Sequence, residues 1–192
     1  MNAFLVSMIA VAIAEIGDKT QLLSLTLAAK YRRPWPICFG IFIATLLNHA
    51  LAGEVGVLLA HWISPLVLRW IVTASFFGMA AWALIPDRLD DDEASNRRRH
   101  GLLLATIVTF FLAEMGDKTQ LATVALAVQY QPLWQVVAGT TVGMLIANVP
   151  VVFLGARFAS RIPLRAARIV AALMFLALGL WNLLGLLHSG AK

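Results

Sequence analysis

The chain has 192 residues, 60% of them hydrophobic and 13% charged, with a mean hydropathy of +0.82. Soluble domains use roughly 45–50% apolar residues, so a water-soluble globular fold starts far behind. The net charge of +5 does not point to nucleic acid, because the basic residues gather in short segments between apolar runs, where they mark one face of a membrane.

A bilayer-crossing helix needs about 20 predominantly apolar residues. Six such segments follow one another, at residues 3–29, 35–60, 66–86, 101–128, 133–157 and 164–187. The expected fold is therefore an all-α polytopic membrane protein with six transmembrane helices. The first segment lacks a basic leader and carries Glu15, Asp18 and Lys19, which argues against a cleaved secretory signal. The second holds Cys38, the single cysteine, so an intrachain disulfide is excluded. It also holds Gly40 and Ala44, four apart, as the fifth holds Gly139 and Gly143; small residues at this spacing let helices approach closely in lipid. Asn48 and His49 in the second segment and Asn148 in the fifth either line a pathway or, on the preferred reading, hydrogen-bond between helices. Glu54 is expected to pair with Arg69 near the outer surface. Between the third and fourth segments the chain reads DRLDDDEASNRRRH. Its acidic half, Asp87, Asp90, Asp91, Asp92 and Glu93, is read as a solvated connector rather than a metal sensor.

Sliding the chain against itself by 99 residues gives 22 identities over positions 1–86, against roughly 8 expected from so apolar a composition. The pairs include Glu15 with Glu114, Trp35 with Trp134, Gly40 with Gly139 and Trp82 with Trp181. The chain is thus read as a duplication, with a first three-helix repeat at residues 1–86, a charged cytoplasmic linker at 87–99 and a second repeat at 100–192. Three is odd, so the second repeat enters the membrane from the opposite face, and the repeats are inverted, an architecture that recurs in secondary transporters. On one side the loops carry Lys30, Arg32, Arg33, Arg88, Arg97, Arg98, Arg99, Arg157, Arg161, Arg165 and Arg168. That side is expected to be cytoplasmic, with both termini outside.

The chemistry is carried by EIGDKTQ at residues 15–21 and EMGDKTQ at residues 114–120. A charged residue at the centre of a membrane helix costs about 2.5–3.5 kcal/mol on insertion scales, and each motif places Glu, Asp and Lys there. On a continuous helix Glu15, Asp18 and Lys19 share one face, flanked by Gln21. Two such faces brought together give four carboxylates and two amides. The candidate ligands are Glu15, Asp18, Gln21, Glu114, Asp117 and Gln120. Such oxygen donors suit calcium, magnesium or manganese better than copper or structural zinc. Gly17 and Gly116 either open the backbone toward the ion or serve helix contact, and Thr20 and Thr119 are read as interhelical hydrogen-bonding groups. Crowded, desolvated carboxylates hold protons, so protons and cation compete for one site, which is a physical basis for antiport. Lys19 and Lys118 either neutralise the empty site, the preferred reading, or act as coupled proton carriers. The alternative is an uncoupled divalent-cation channel using the acids as a selectivity ring. No histidine cluster, serine–histidine pair or phosphate-binding glycine loop supports an enzyme, and no resident cofactor is expected.

At these motifs the sequence closely resembles the Gdt-type cation/proton exchanger family, marked by two copies of E-x-G-D-(K/R)-(T/S), here residues 15–20 and 114–119. The resemblance extends over essentially the whole chain. Its members include Golgi and thylakoid proteins that move calcium and manganese against protons, and bacterial manganese exporters. The resemblance implies that Glu15, Asp18, Glu114 and Asp117 are the cation ligands. The short chain looks like the bacterial form, which implies a multi-pass protein of the bacterial plasma (inner) membrane exporting manganese first, calcium second, in exchange for protons. The expected partners are the divalent ion, protons and the lipid bilayer; a homo-oligomer is left open.

Overall fold

The computed structural model describes residues 2–85, 101–154 and 164–189. The charged linker, with Asp87, Asp90, Asp91, Asp92 and Glu93, and the basic residues Arg88, Arg97, Arg98, Arg99, Arg157 and Arg161 lie outside the described residues. Among the described residues the secondary structure is entirely α-helical: α1 (Ala3–Glu15), α2 (Lys19–Tyr31), α3 (Pro34–Trp62), α4 (Pro65–Trp82), α5 (Leu102–Glu114), α6 (Lys118–Gln129), α7 (Leu133–Leu154) and α8 (Leu164–Ser189). Local signals set several boundaries. Asn2 caps α1 by accepting a hydrogen bond from the Phe4 amide at 3.0 Å. Pro34 and Pro65 open α3 and α4, where proline's missing N–H costs nothing.

Helices α3, α4, α7 and the Arg168–His188 stretch of α8 are each long and apolar enough to cross a membrane. The first and fourth segments differ from expectation. Neither is one continuous helix: α1 and α2 have 13 residues each, and α5 and α6 have 13 and 12. At 1.5 Å per residue each piece is about 20 Å long, too short to span alone. The two pieces run in series, separated at the acidic motif. Among the described residues the fold is all-α, with several helices apolar enough to cross a membrane, as in a polytopic membrane protein.

Its surface reads inside out relative to a soluble protein. Leu47, Leu51, Val55 and Leu58 of α3, and Leu173, Leu180, Leu184 and Leu187 of α8, are exposed, whereas Glu15, Asp18, Asn48, His49, Glu114, Asp117, Lys118 and Asn148 are buried. Lipid tails satisfy the first group, and the bundle interior must satisfy the second.

Packing follows the 99-residue relation. Helix α3 lies against α5 and α6, while α7 lies against α1 and α2. A Cβ added to Gly40 of α3 would lie 2.7 Å from Thr106 Cβ and 3.2 Å from the Leu103 carbonyl. One added to Gly139 of α7 would collide with the Phe4 carbonyl and come within 3.0 Å of Ser7 Cβ. Gly139 is Gly40 shifted by 99, and Leu103 and Thr106 are Phe4 and Ser7 shifted by 99. Helices α4 and α8 complete the bundle, and Phe76 stacks on its own counterpart Phe175 with ring centroids 6.5 Å apart.

The small-residue spacing in α7 thus marks a close helix crossing. A Cβ on Gly143 would sit 2.5 Å from the Met8 carbonyl and 2.9 Å from the Ala12 amide, both backbone atoms that cannot swing aside. Gly143→Val is expected to push α1 off α7 and destabilise the bundle by about 1–3 kcal/mol, the usual cost of overpacking. The check is the melting temperature and monodisperse yield of the detergent-solubilised variant; a parental melting curve would contradict the close crossing.

Candidate cation-binding site

The two breaks have the same construction. Ile16 has φ −65° and ψ 116°, Gly17 has φ 83°, and the Asp18 amide donates to the Glu15 carbonyl at 3.1 Å. In the second copy Met115 has φ −61° and ψ 124°, Gly116 has φ 74°, and the Asp117 amide donates to the Glu114 carbonyl at 3.1 Å. These are type II β-turns, whose third position needs positive φ and hence glycine. Each E-x-G-D is therefore a turn, with the glutamate as the last residue of one helix and the aspartate as the N-cap of the next. This corrects the expectation that Glu15, Asp18 and Lys19 share one face of a continuous helix. Of the two readings held for Gly17 and Gly116, the backbone-opening one fits the structure.

Two glutamines brace the turns. Gln21 Oε1 accepts from the Gly17 amide at 2.8 Å, and Gln120 Oε1 accepts from the Gly116 amide at 2.6 Å. Their amide groups then reach across to the other half: Gln21 Nε2 donates to the Ala147 carbonyl at 3.0 Å, and Gln120 Nε2 donates to Asn48 Oδ1 at 2.6 Å. Ala147 is the counterpart of Asn48. The oxygens expected to face an ion are thus engaged in holding the breaks open.

The acids of both motifs are buried together. Glu15 and Asp18 are 0% exposed, Glu114 1% and Asp117 3%, a level of desolvation that requires partners. Asp18 forms an ion pair with Lys118 of the other half and lies within hydrogen-bonding reach of Asp117. Glu15 lies in the field of Asp18, Glu114 and Asp117, and Asp117 in that of Lys118 and Lys19. Glu15 Oε1 accepts from Asn148 Nδ2 at 3.0 Å, and Asn148 Oδ1 accepts from Ser24 at 2.7 Å. Glu114 Oε1 accepts from Thr119 at 2.6 Å and faces His49 Nε2 at 3.6 Å. The second oxygens, Glu15 Oε2 and Glu114 Oε2, have no hydrogen-bond partner among the described residues. The acids are neighbours rather than a closed cage: among the described residues, no three histidine, cysteine or acidic side chains already converge in a metal-holding cluster.

Sequence reasoning underrated Asn148 and His49. Asn148 hydrogen-bonds between helices as expected, with the motif residue Glu15 as its partner, whereas His49 faces Glu114 at 3.6 Å and has no hydrogen-bond partner among the described residues. The signal was present in the 99-residue pairing of His49 with Asn148. Ser24 gave no comparable signal.

The family model described as "Divalent cation/proton antiporter GDT1" matches residues 3–91 and 102–189. The chain belongs to the GDT1 family. A Vibrio cholerae protein named "Putative manganese exporter" is 51% identical over 181 residues, covering 94% of this chain and 90% of that protein. GDT1-like protein 5 of Arabidopsis thaliana is 28% identical, with 96% of each chain covered, and a GDT1-like protein of Synechocystis is 27% identical, with 91% and 93% covered. No solved structure matches. GDT1 proteins are transporters rather than enzymes, with a divalent cation and protons as the transported species, as expected from the doubled motif.

Proposed function

We propose that this GDT1 protein exports manganese, with calcium as the next cation, in exchange for protons, through a site built from the paired turns. The observation that carries the reading is the burial of Glu15, Asp18, Glu114 and Asp117 at two helix breaks, one from each half of the chain. Helix breaks facing a central site are how many secondary transporters bring backbone dipoles to an ion. The cation binds the four carboxylates, and Gln21 and Gln120 hold the turns from behind. Protonation of the same oxygens releases it. Lys118, paired with Asp18, supplies positive charge that keeps four acids tolerable in one low-dielectric region.

In this reading α1 with α2 is the first membrane crossing and α5 with α6 the fourth, giving six crossings in two inverted repeats, residues 1–86 and 100–192, joined by the linker at 87–99. The symmetric contacts at Gly40 and Gly139 support it. Manganese is favoured by the name of the Vibrio relative. Lys30 in the last turn of α2, with Arg32 and Arg33 between α2 and α3, supports a cytoplasmic position for that end and both termini outside the plasma membrane.

The test is flux in proteoliposomes. An imposed pH gradient, with no manganese gradient, is expected to drive manganese across the bilayer while a trapped dye reports equivalent proton movement. Manganese flux that follows only its own gradient and moves no protons would establish the channel reading instead.

A further inference from the structure

The two halves of the site are not chemically equal. Where α7 presents Asn148 to Glu15, α3 presents His49 to Glu114 at the equivalent position. His49 is 0% exposed, and neither ring nitrogen has a hydrogen-bond partner among the described residues. Its Nε2 is 3.6 Å from Glu114 Oε1, whose companion Oε2 is likewise without a hydrogen-bond partner among the described residues. A buried imidazole normally fixes its tautomer by a hydrogen bond, and a buried polar group left without one is unfavourable.

We propose that His49 is a ligand of the transported cation, contributing a nitrogen beside Glu114, and that it tilts the site toward first-row transition ions over calcium. This inference rests on the carboxylate site proposed above. Two ligands at about 2.1 Å from a shared ion stand roughly 3.0–3.4 Å apart at octahedral or tetrahedral angles. The observed 3.6 Å separation needs a shift of only a few tenths of an ångström. Calcium takes oxygen ligands almost exclusively, whereas imidazole binds transition ions well. One nitrogen among oxygens therefore penalises calcium and leaves manganese well held. Asn148, an amide, offers no such nitrogen, so the discrimination resides in the half-site of Glu114.

The experiment uses the purified full-length protein loaded with manganese ion and examined by pulsed electron paramagnetic resonance, with natural and isotope-labelled histidine compared. Nitrogen coupling that changes with the histidine label is expected in the parent and absent from His49→Asn. In proteoliposomes His49→Asn is expected to lower the manganese-to-calcium flux ratio by about tenfold, the lower end of the effect of altering groups around a metal. His49→Gln serves if the asparagine variant fails to fold. Bound manganese without histidine coupling in the parent, but lost in Glu114→Gln, would overturn the role of His49 and leave the carboxylate site standing. Manganese binding unaffected by Glu114→Gln would overturn the site itself. A simple packing role for His49 would change yield and total flux but not the ion ratio.

Discussion

Glu15→Gln is expected to abolish proton-driven manganese exchange, by at least roughly 100-fold, since altering groups merely adjacent to a metal's ligands already costs about 10–100-fold. The substitution keeps shape and hydrogen bonding. Gln Oε1 can still accept from Asn148 Nδ2, which donates to Glu15 at 3.0 Å. The new amide nitrogen replaces Oε2, which has no hydrogen-bond partner among the described residues, and it finds acceptors in the neighbouring acids. Removing one buried negative charge from a group of four also relieves repulsion. The melting temperature in detergent is therefore expected to equal or exceed the parent's while flux disappears. That combination separates a functional carboxylate from a structural ion pair, whose loss would lower both. The pH dependence follows the same logic. Protons compete with the cation, so the parent's apparent manganese affinity falls as pH falls; with one fewer competing carboxylate, any residual binding by the variant varies less steeply with pH. Substantial pH-driven flux through Glu15→Gln would end the exchange mechanism proposed here.

Much of this architecture is legible in the sequence because lipid imposes simple rules. The segment read at 35–60 emerges as Pro34–Trp62, and the one read at 133–157 is helical from Leu133 to Leu154, the last described residue of that stretch, since helices in a bilayer follow the apolar run and are bounded where proline and charge intervene. The breaks in the first and fourth segments escape the same rules, because a turn of two residues barely alters mean hydropathy. Yet E-x-G-D carried a local signal: one glycine before an aspartate at the centre of an otherwise good helix suits the third position of a type II turn. The cross-pairing of Asp18 with Lys118 has no one-dimensional trace. It depends on how two halves dock, and a helical-face argument instead groups Asp18 with Lys19. The same limit applies to the glutamines. Gln21 and Gln120 stand two residues beyond the charged pair in each motif, which made them resemble ligands, but a turn needs an acceptor for its glycine N–H and the nearest amide oxygen supplies it.

If the break is what presents the acids, activity at Gly116 should follow backbone preference rather than side-chain size. A Cβ at Gly116 meets nothing within 4 Å, so only its φ of 74° resists substitution. An ordinary L-residue pays about 1–2 kcal/mol for left-handed backbone, while asparagine visits that region several-fold more readily than most. The expected order of transport is therefore Gly116 above Gly116→Asn, above Gly116→Ala, with Gly116→Val lowest because a β-branched residue fits positive φ worst. Alanine carries a further penalty. It is the best helix former, and the simplest relief of strain is to join α5 to α6 as one helix, turning Asp117 away from Asp18. Gln120→Leu should act in the same direction by removing the acceptor that holds the Gly116 amide at 2.6 Å. Flux measured alongside detergent melting curves tests the series. An alanine variant that transports like the parent would mean the turn does not govern the site, whereas inactive alanine and valine variants with intact melting curves would tie transport to the geometry of two residues.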